Sequence, residues 1–438
     1  MLDLLLLGLL AVPFAMLFIL IGGWINVKIT GSNDVAFFKQ TFFSLLMGTF
    51  FTVSLYAVIM TYGKTIFIIP LLVILYLVWK GRKNEFIFDK KYFLKSILVF
   101  TVGTLIISLL NGIMNQSKGI DTDLLFYSGI VDSIQSHQTE NFYTYFNSEA
   151  AIGGAMPYHY FEFYLASLIN ILASKMAPWS TAILLKYSCY TLLKVTVFIG
   201  WTGLMESFEV KKKWLFGMGL LVPLLGYLTY FNVFVSDWSM FHNMWQRPNF
   251  IPYFMGIIFF FIAWKDGTMK YIVMAILFLA SASSVLVPFL FLSSSAFCSA
   301  SLTILKPSNR KENLKLAGLL VLYVVFIAAF YIVFAQGLKS SSPLTIDTII
   351  AKISAMYRAI IGQSLKLMLA TISFGLLSFL ILLSVRKLKE TYNKLLAFIL
   401  MAVLIACSGI ICFQLFSFVD NMYQLPYIGY CFLYLFQQ

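Results

Sequence analysis

Phe67-Ile68-Ile69-Pro70-Leu71-Leu72-Val73-Ile74-Leu75-Tyr76-Leu77-Val78 is apolar at every position. The strands of an outer-membrane barrel alternate apolar with polar residues, and this stretch does not. The rest of the chain is built the same way. Hydrophobic residues fill 61% of the 438 positions and charged residues 11%, whereas a soluble domain carries roughly 25% charged residues to cover its surface. A soluble core cannot absorb that much apolar surface, but a bilayer can. The apolar runs are about 17 to 25 residues long, the length of helix that crosses roughly 30 Å of hydrocarbon. The composition therefore predicts an all-α polytopic membrane protein, with about 12–13 transmembrane helices.

The formal net charge of +13 would point to nucleic acid in a soluble protein. Here the basic residues cluster in short loops between apolar runs and read as topology signals, so no nucleic-acid partner is expected. The five cysteines, Cys189, Cys298, Cys407, Cys412 and Cys431, lie in or beside apolar stretches without metal-type spacing. Residues 2–24 carry Asp3 and no basic leader, so they read as a retained span, not a cleaved signal peptide.

Candidate spans begin at Leu2, Thr41, Thr65, Ser96, Trp179, Trp214, Asn249, Tyr271, Leu286, Leu316, Lys366 and Asn393, with an apolar tail after Gln424. The basic loops hold Lys80 to Lys95, Lys211 to Lys213, Lys306 to Lys315 and Arg386 to Lys394. The positive-inside rule places all four in the cytoplasm. Two apolar stretches, 158–173 and 179–204, then compete for one crossing. The first is shorter and contains His159 and Glu162, so it is expected to lie in the outer interface or pack on the bundle. Residues 115–178 become an outer loop, with Asp121, Asp123, Asp132, Glu140, Glu149 and Glu162 against Lys118 and Lys175.

Within that loop, Gly119-Ile120-Asp121-Thr122-Asp123-Leu124-Leu125-Phe126-Tyr127 opens an amphipathic helix. Farther on stand Met156-Pro157-Tyr158-His159-Tyr160-Phe161-Glu162 and Trp179-Ser180-Thr181-Ala182-Ile183-Leu184-Leu185-Lys186. This order over residues 96–315 resembles the GT-C superfamily of membrane glycosyltransferases. There, an outward span leads to a loop with an early Asp, a Pro-Tyr-rich interfacial helix and an inward span with a basic residue near its start. The resemblance implies three parts: N-terminal accessory spans over 1–95, a GT-C-like core over 96–315 with its outer loop at 115–178, and C-terminal spans over 316–438. The tail 430–438 is too short for a comfortable crossing, which leaves the completeness of the C-terminus open.

The resemblance further implies transfer of a hexosyl or pentosyl group from a polyprenyl phosphate or diphosphate to a glycan or lipid acceptor. It sets this reaction at the outer face of a bacterial inner membrane. A carboxylate at the membrane boundary can act as general base on the acceptor hydroxyl. Asp123 is the first choice because it immediately precedes Leu124-Leu125-Phe126-Tyr127. Asp121 is the second, as base or as a neighbour that shares a divalent cation, Mg or Mn. Arg247, Lys186 and Arg358 are expected at the donor phosphate. Tyr158, His159, Glu162 and His242 are expected at the acceptor or sugar.

Each assignment has a plainer alternative. Asp121 and Asp123 suit a helix N-cap, and His159 with Glu162 suits an interfacial hydrogen-bonded pair. Lys186 and Lys194 suit snorkelling within the bundle, although a lysine in hydrocarbon costs roughly 2.5 to 3.5 kcal/mol. Three other functions compete: a transporter or flippase of a lipid-linked glycan, a polysaccharide polymerase, and a non-catalytic membrane component.

Overall fold

The computed structural model describes residues 2–30, 36–62, 90–114, 122–138, 140, 160–175, 179–207, 251–266, 269–281, 310–334 and 403. The spans expected from Thr65, Trp214, Leu286, Lys366 and Asn393, and the tail after Gln424, lie outside them. Among the described residues all regular structure is helical. The chain divides into two compact units, one of residues 1–221 and 248–284 and the other of residues 222–247 and 285–438.

The first unit contains ten of the helices described. They are α1 (Leu2–Leu9), α2 (Ala11–Thr30), α3 (Phe37–Tyr62), α4 (Lys90–Met114), α5 (Thr122–His137), α6 (Tyr160–Ala173), α7 (Thr181–Leu184), α8 (Tyr190–Ser207), α9 (Ile251–Asp266) and α10 (Met269–Ser281). A π-helical turn, Leu185–Cys189, joins α7 to α8. In the second unit α11 runs over Arg310–Phe334.

Four segments are long and apolar enough to cross a membrane: Leu2–Asn26, Phe37–Met60, Lys90–Gly112 and Thr181–Ser207. They correspond to the spans expected from Leu2, Thr41, Ser96 and Trp179. Phe161–Ala173, Ile251–Ala263 and Asn313–Leu322 are shorter apolar helices. The described chain is thus a helical membrane protein by length and composition. The first span is interrupted where the sequence suggested one continuous helix. Pro13 has no N–H to donate, and its ring crowds the carbonyl of Leu9, so the helix breaks at Leu10 and restarts as α2.

Glycine sets how closely α2 and α3 approach. A Cβ on Gly48 would come within 1.9 Å of the Phe18 carbonyl oxygen, and one on Gly22 within 1.8 Å of the Ser44 carbonyl oxygen. Small residues at such crossings let backbones touch where lipid offers no hydrophobic drive. The same contacts make the two helices antiparallel. Gly203 lies against the Lys39 backbone and Gly200 against the Phe42 ring, so α8 is antiparallel to α3. Thr41 Oγ1 and Ser96 Oγ are 3.0 Å apart, and Phe37 meets Tyr92 edge-on, so α4 runs with α3.

The beginnings of α3 and α4 and the ends of α8 and α9 therefore share one end of the bundle. Polar contacts fasten it. Glu206 accepts the Phe38 and Lys39 backbone N–H groups at 2.9 and 3.2 Å, capping α3, and the Lys39 ammonium pairs with Asp266. Lys90 and Lys91 open α4 at this end, and Ser207 closes α8 there, just before Lys211 to Lys213. The chain thus leaves on α4 and returns on α8. α6, between them, has 14 residues, about 21 Å of helix, and packs against α3, α5, α7 and the π turn. Of the two arrangements expected for it, packing on the bundle is the one observed.

Candidate functional site

α5, α6, α7 and the π turn form a layer at the opposite end of the bundle, where α4 finishes. The α5 sequence buries Leu124, Tyr127, Ile130, Val131 and Ile134 and leaves Asp123 and Asp132 exposed. These buried positions recur at three- and four-residue spacing, the pattern of a helix with one packed face. Asp123 stands in the first turn, where a carboxylate is favoured by the free N–H groups and the helix dipole.

Polar side chains tie the layer together. Thr181 Oγ1 donates to Asp132 Oδ1 at 2.5 Å and accepts from Asn170 Nδ2 at 2.9 Å, joining α5, α6 and α7. Gln135 Nε2 donates to the Ser167 carbonyl at 3.3 Å, and the Ser167 and Tyr56 hydroxyls are 2.8 Å apart. Ser180 caps α7 by accepting the Ile183 N–H. Thr181→Ala removes both side-chain bonds of the junction and is expected to cost about 1–2 kcal/mol in denaturant unfolding. An unchanged midpoint would mean that the junction does not hold the layer.

Beyond α7 the backbone widens. The Tyr190 N–H reaches back five residues to the Leu185 carbonyl, the π-helical hydrogen bond. Such turns often mark functional positions. The turn holds Lys186, whose Nζ lies 5.4 Å from the centre of the Tyr187 ring. Ser188 Oγ donates to the Leu7 carbonyl at 2.7 Å and fixes α1 to the turn.

Glu162, expected on an interfacial face beside His159, is wholly enclosed at 0% exposure. Its Oε1 accepts from the Tyr190 hydroxyl at 3.5 Å. α6 is not one of the four long spans, and burial holds the Glu162 carboxyl well above its usual value of 4.5. The neighbouring Glu140, 1% exposed, raises it further by like charge, while the Tyr190 hydrogen bond acts in the opposite direction. The folded state therefore binds the Glu162 proton more tightly than the unfolded chain does. That contribution is complete below the ordinary carboxyl range and is lost as pH rises through the raised folded value. Unfolding midpoints are expected to fall from acid toward alkaline pH in the wild type and to fall less in Glu162→Gln. Parallel pH profiles would place the titration elsewhere.

Among the other site residues expected from sequence, Asp121, Tyr158, His159, His242, Arg247 and Arg358 lie outside the described residues. Asp123, Lys186 and Glu162 are placed on three packed elements, with Asp123 at the surface and Glu162 inside. Among the described residues no group of three or more His, Cys, Asp or Glu is arranged to hold a metal ion. The Mg or Mn ion that Asp121 and Asp123 could share involves Asp121, which lies outside the described residues.

The sequence reading did not single out Asn111, Asn170, Thr181 or Tyr190. An amide inside an apolar run is a usable signal, because it must find a partner away from water, and both asparagines meet that description. No protein-family model matches the chain, and neither the curated proteins nor the solved structures give a match.

Proposed function

We propose that the protein is a membrane glycosyltransferase that takes its sugar from a polyprenyl phosphate or diphosphate. The observation that carries this reading is the exposure of Asp123 in the first turn of α5, a helix packed on α7 and on the π turn bearing Lys186. A carboxylate and an ammonium then stand on touching elements where α4 ends. If the basic loops are cytoplasmic, this is the outer face. The membrane is taken as a bacterial inner membrane, on the GT-C resemblance.

The chemistry divides between the two groups. Asp123 takes the proton of an acceptor hydroxyl as its oxygen forms the bond to the anomeric carbon. The bond from that carbon to the phosphate oxygen breaks, and the lipid phosphate leaves with the electron pair. Lys186 offsets the charge that grows on the leaving phosphate. The test is sugar transfer by purified protein in proteoliposomes, from polyprenyl-phosphate-linked hexose and pentose donors, with Asp123→Asn beside the wild type.

Movement of a lipid-linked glycan across the bilayer is a second reading, favoured by one observation. Lys194 sits midway along the Thr181–Ser207 span and is 4% exposed. An ionisable side chain enclosed within a span is what a translocation path uses. Translocation of a labelled lipid-linked glycan in the same proteoliposomes, unaffected by Asp123→Asn, would favour transport over transfer.

A further inference from the structure

α4 has two faces. Ser96, Phe100, Thr104, Ile107 and Asn111 recur every three or four residues and are buried against the bundle. On the other side Leu94 is 55% exposed, Leu98 62% and Val102 41%. These three follow one another at four-residue steps, so they form a single stripe, and a turn of about 100° per residue sets it roughly opposite the buried face. Exposed leucine and valine on a membrane span are surface for hydrocarbon. From Leu94 to Val102 the stripe is about 12 Å long, inside the roughly 15 Å depth of one leaflet.

Basic residues head this stripe. Lys90, Lys91 and Lys95 are exposed at the start of α4, and Lys95 follows Leu94 directly. The Lys95 Nζ lies 4.1 Å from the centre of the Phe37 ring, and that ring meets Tyr92 edge-on, so the ammonium is held by groups that leave its charge uncancelled. The carboxylates described at this end are engaged elsewhere. Glu206 holds two α3 N–H groups, and Asp266 holds the Lys39 ammonium. Among the described residues no carboxylate pairs with Lys90 or Lys95. The first turn of α4 contains no acidic residue to offset the positive end of its dipole. A braced cation, a second lysine and a helix start, at the head of a hydrocarbon-facing stripe, match a lipid whose headgroup carries negative charge.

We propose that Lys95 and Lys90 bind the headgroup of an anionic phospholipid of the bilayer, with its chains lying along Leu94, Leu98 and Val102. The packing of Lys95 on Phe37 lowers the cost of ordering that side chain when the headgroup binds. The site stands at the end of the bundle opposite Asp123 and Lys186, and it holds whether or not the protein transfers a sugar.

The test is native mass spectrometry of the full-length protein released from detergent, titrated with phosphatidylglycerol and, separately, with phosphatidylcholine of the same chains. Phosphatidylglycerol is expected to bind at least about tenfold more tightly, from roughly fivefold for each lysine near the headgroup. The preference shrinks as salt is raised. The double substitution Lys90→Gln and Lys95→Gln is expected to reduce it at least about fivefold. The unfolding midpoint of that variant stays the same, because both residues are exposed. Its affinity for phosphatidylcholine also stays the same, which separates lost charge recognition from a damaged apolar stripe. Lys95→Arg keeps the charge and keeps the preference. Equal binding of the two lipids by the wild type overturns the proposal, as does a preference that survives intact in the double variant. Lipid-free dimers that persist as phosphatidylglycerol is added assign the stripe to a second copy of the chain and overturn it as well.

Discussion

Asp123→Asn is expected to lower the rate of sugar transfer by about 100- to 10,000-fold, the range that a positioned general base contributes. Asparagine has the shape of aspartate but cannot take the acceptor's proton. Asp123 is exposed, so the exchange removes no packing. The loss of a negative charge from the first turn of α5 costs at most about 1 kcal/mol of helix stability. Activity and folding should therefore separate, with transfer lost and the unfolding midpoint nearly kept. Asp121→Asn, measured beside it, decides which of the two carboxylates is the base. Full transfer in Asp123→Asn would leave that residue as an N-terminal helix charge with no part in the chemistry.

The second large effect is expected in the packing of α2 on α3. Gly22→Ala and Gly23→Ala add the same methyl group at adjacent positions. At Gly22 the new carbon would meet the Ser44 carbonyl oxygen at 1.8 Å and the Gly48 nitrogen at 2.5 Å, both backbone atoms. At Gly23 its nearest neighbour would be Ser44 Oγ at 3.6 Å, an ordinary contact. Gly48→Ala should behave as Gly22→Ala does, because its methyl would meet the Phe18 carbonyl oxygen and Cα. A backbone cannot swing aside as a side chain does, so the helices must separate. Overpacking of this kind costs about 1–3 kcal/mol or more. Gly23→Ala should be neutral or slightly stabilising, since alanine is the better helix former. Thermal unfolding of the three variants in detergent tests the crossing, and equal midpoints for Gly22→Ala and Gly23→Ala would refute it.

Membrane character was readable from sequence because it is a property of composition and run length. An 18-residue apolar run has one stable home whatever its neighbours are, since every backbone group must be bonded inside the segment. The starts of the spans at Leu2, Thr41, Ser96 and Trp179 follow from the same rule. So does the exclusion of residues 158–173 from the crossings, for which basic-loop parity and shortness sufficed. The exposure of Asp123 was also within reach, because an acidic residue ahead of a one-sided helix belongs to its first turn.

The tertiary structure decided matters that depend on which helix lies beside which. Sequence spacing put Glu162 next to His159 on an interface, but α6 turns that position toward Tyr190 and encloses it. Sequence spacing put Lys186 and Lys194 on roughly one helical face, and the structure adds the π-helical turn between them, closed by the Tyr190 N–H on the Leu185 carbonyl. Asn111, Asn170 and Thr181 acquire their importance only from partners 11 to 83 residues away in the chain. The sequence by itself determined that this chain enters a bilayer and where several spans begin, because burial in hydrocarbon acts on each segment alone. The polar layer was decided by tertiary packing, because a hydrogen bond requires two groups that only the fold brings within reach.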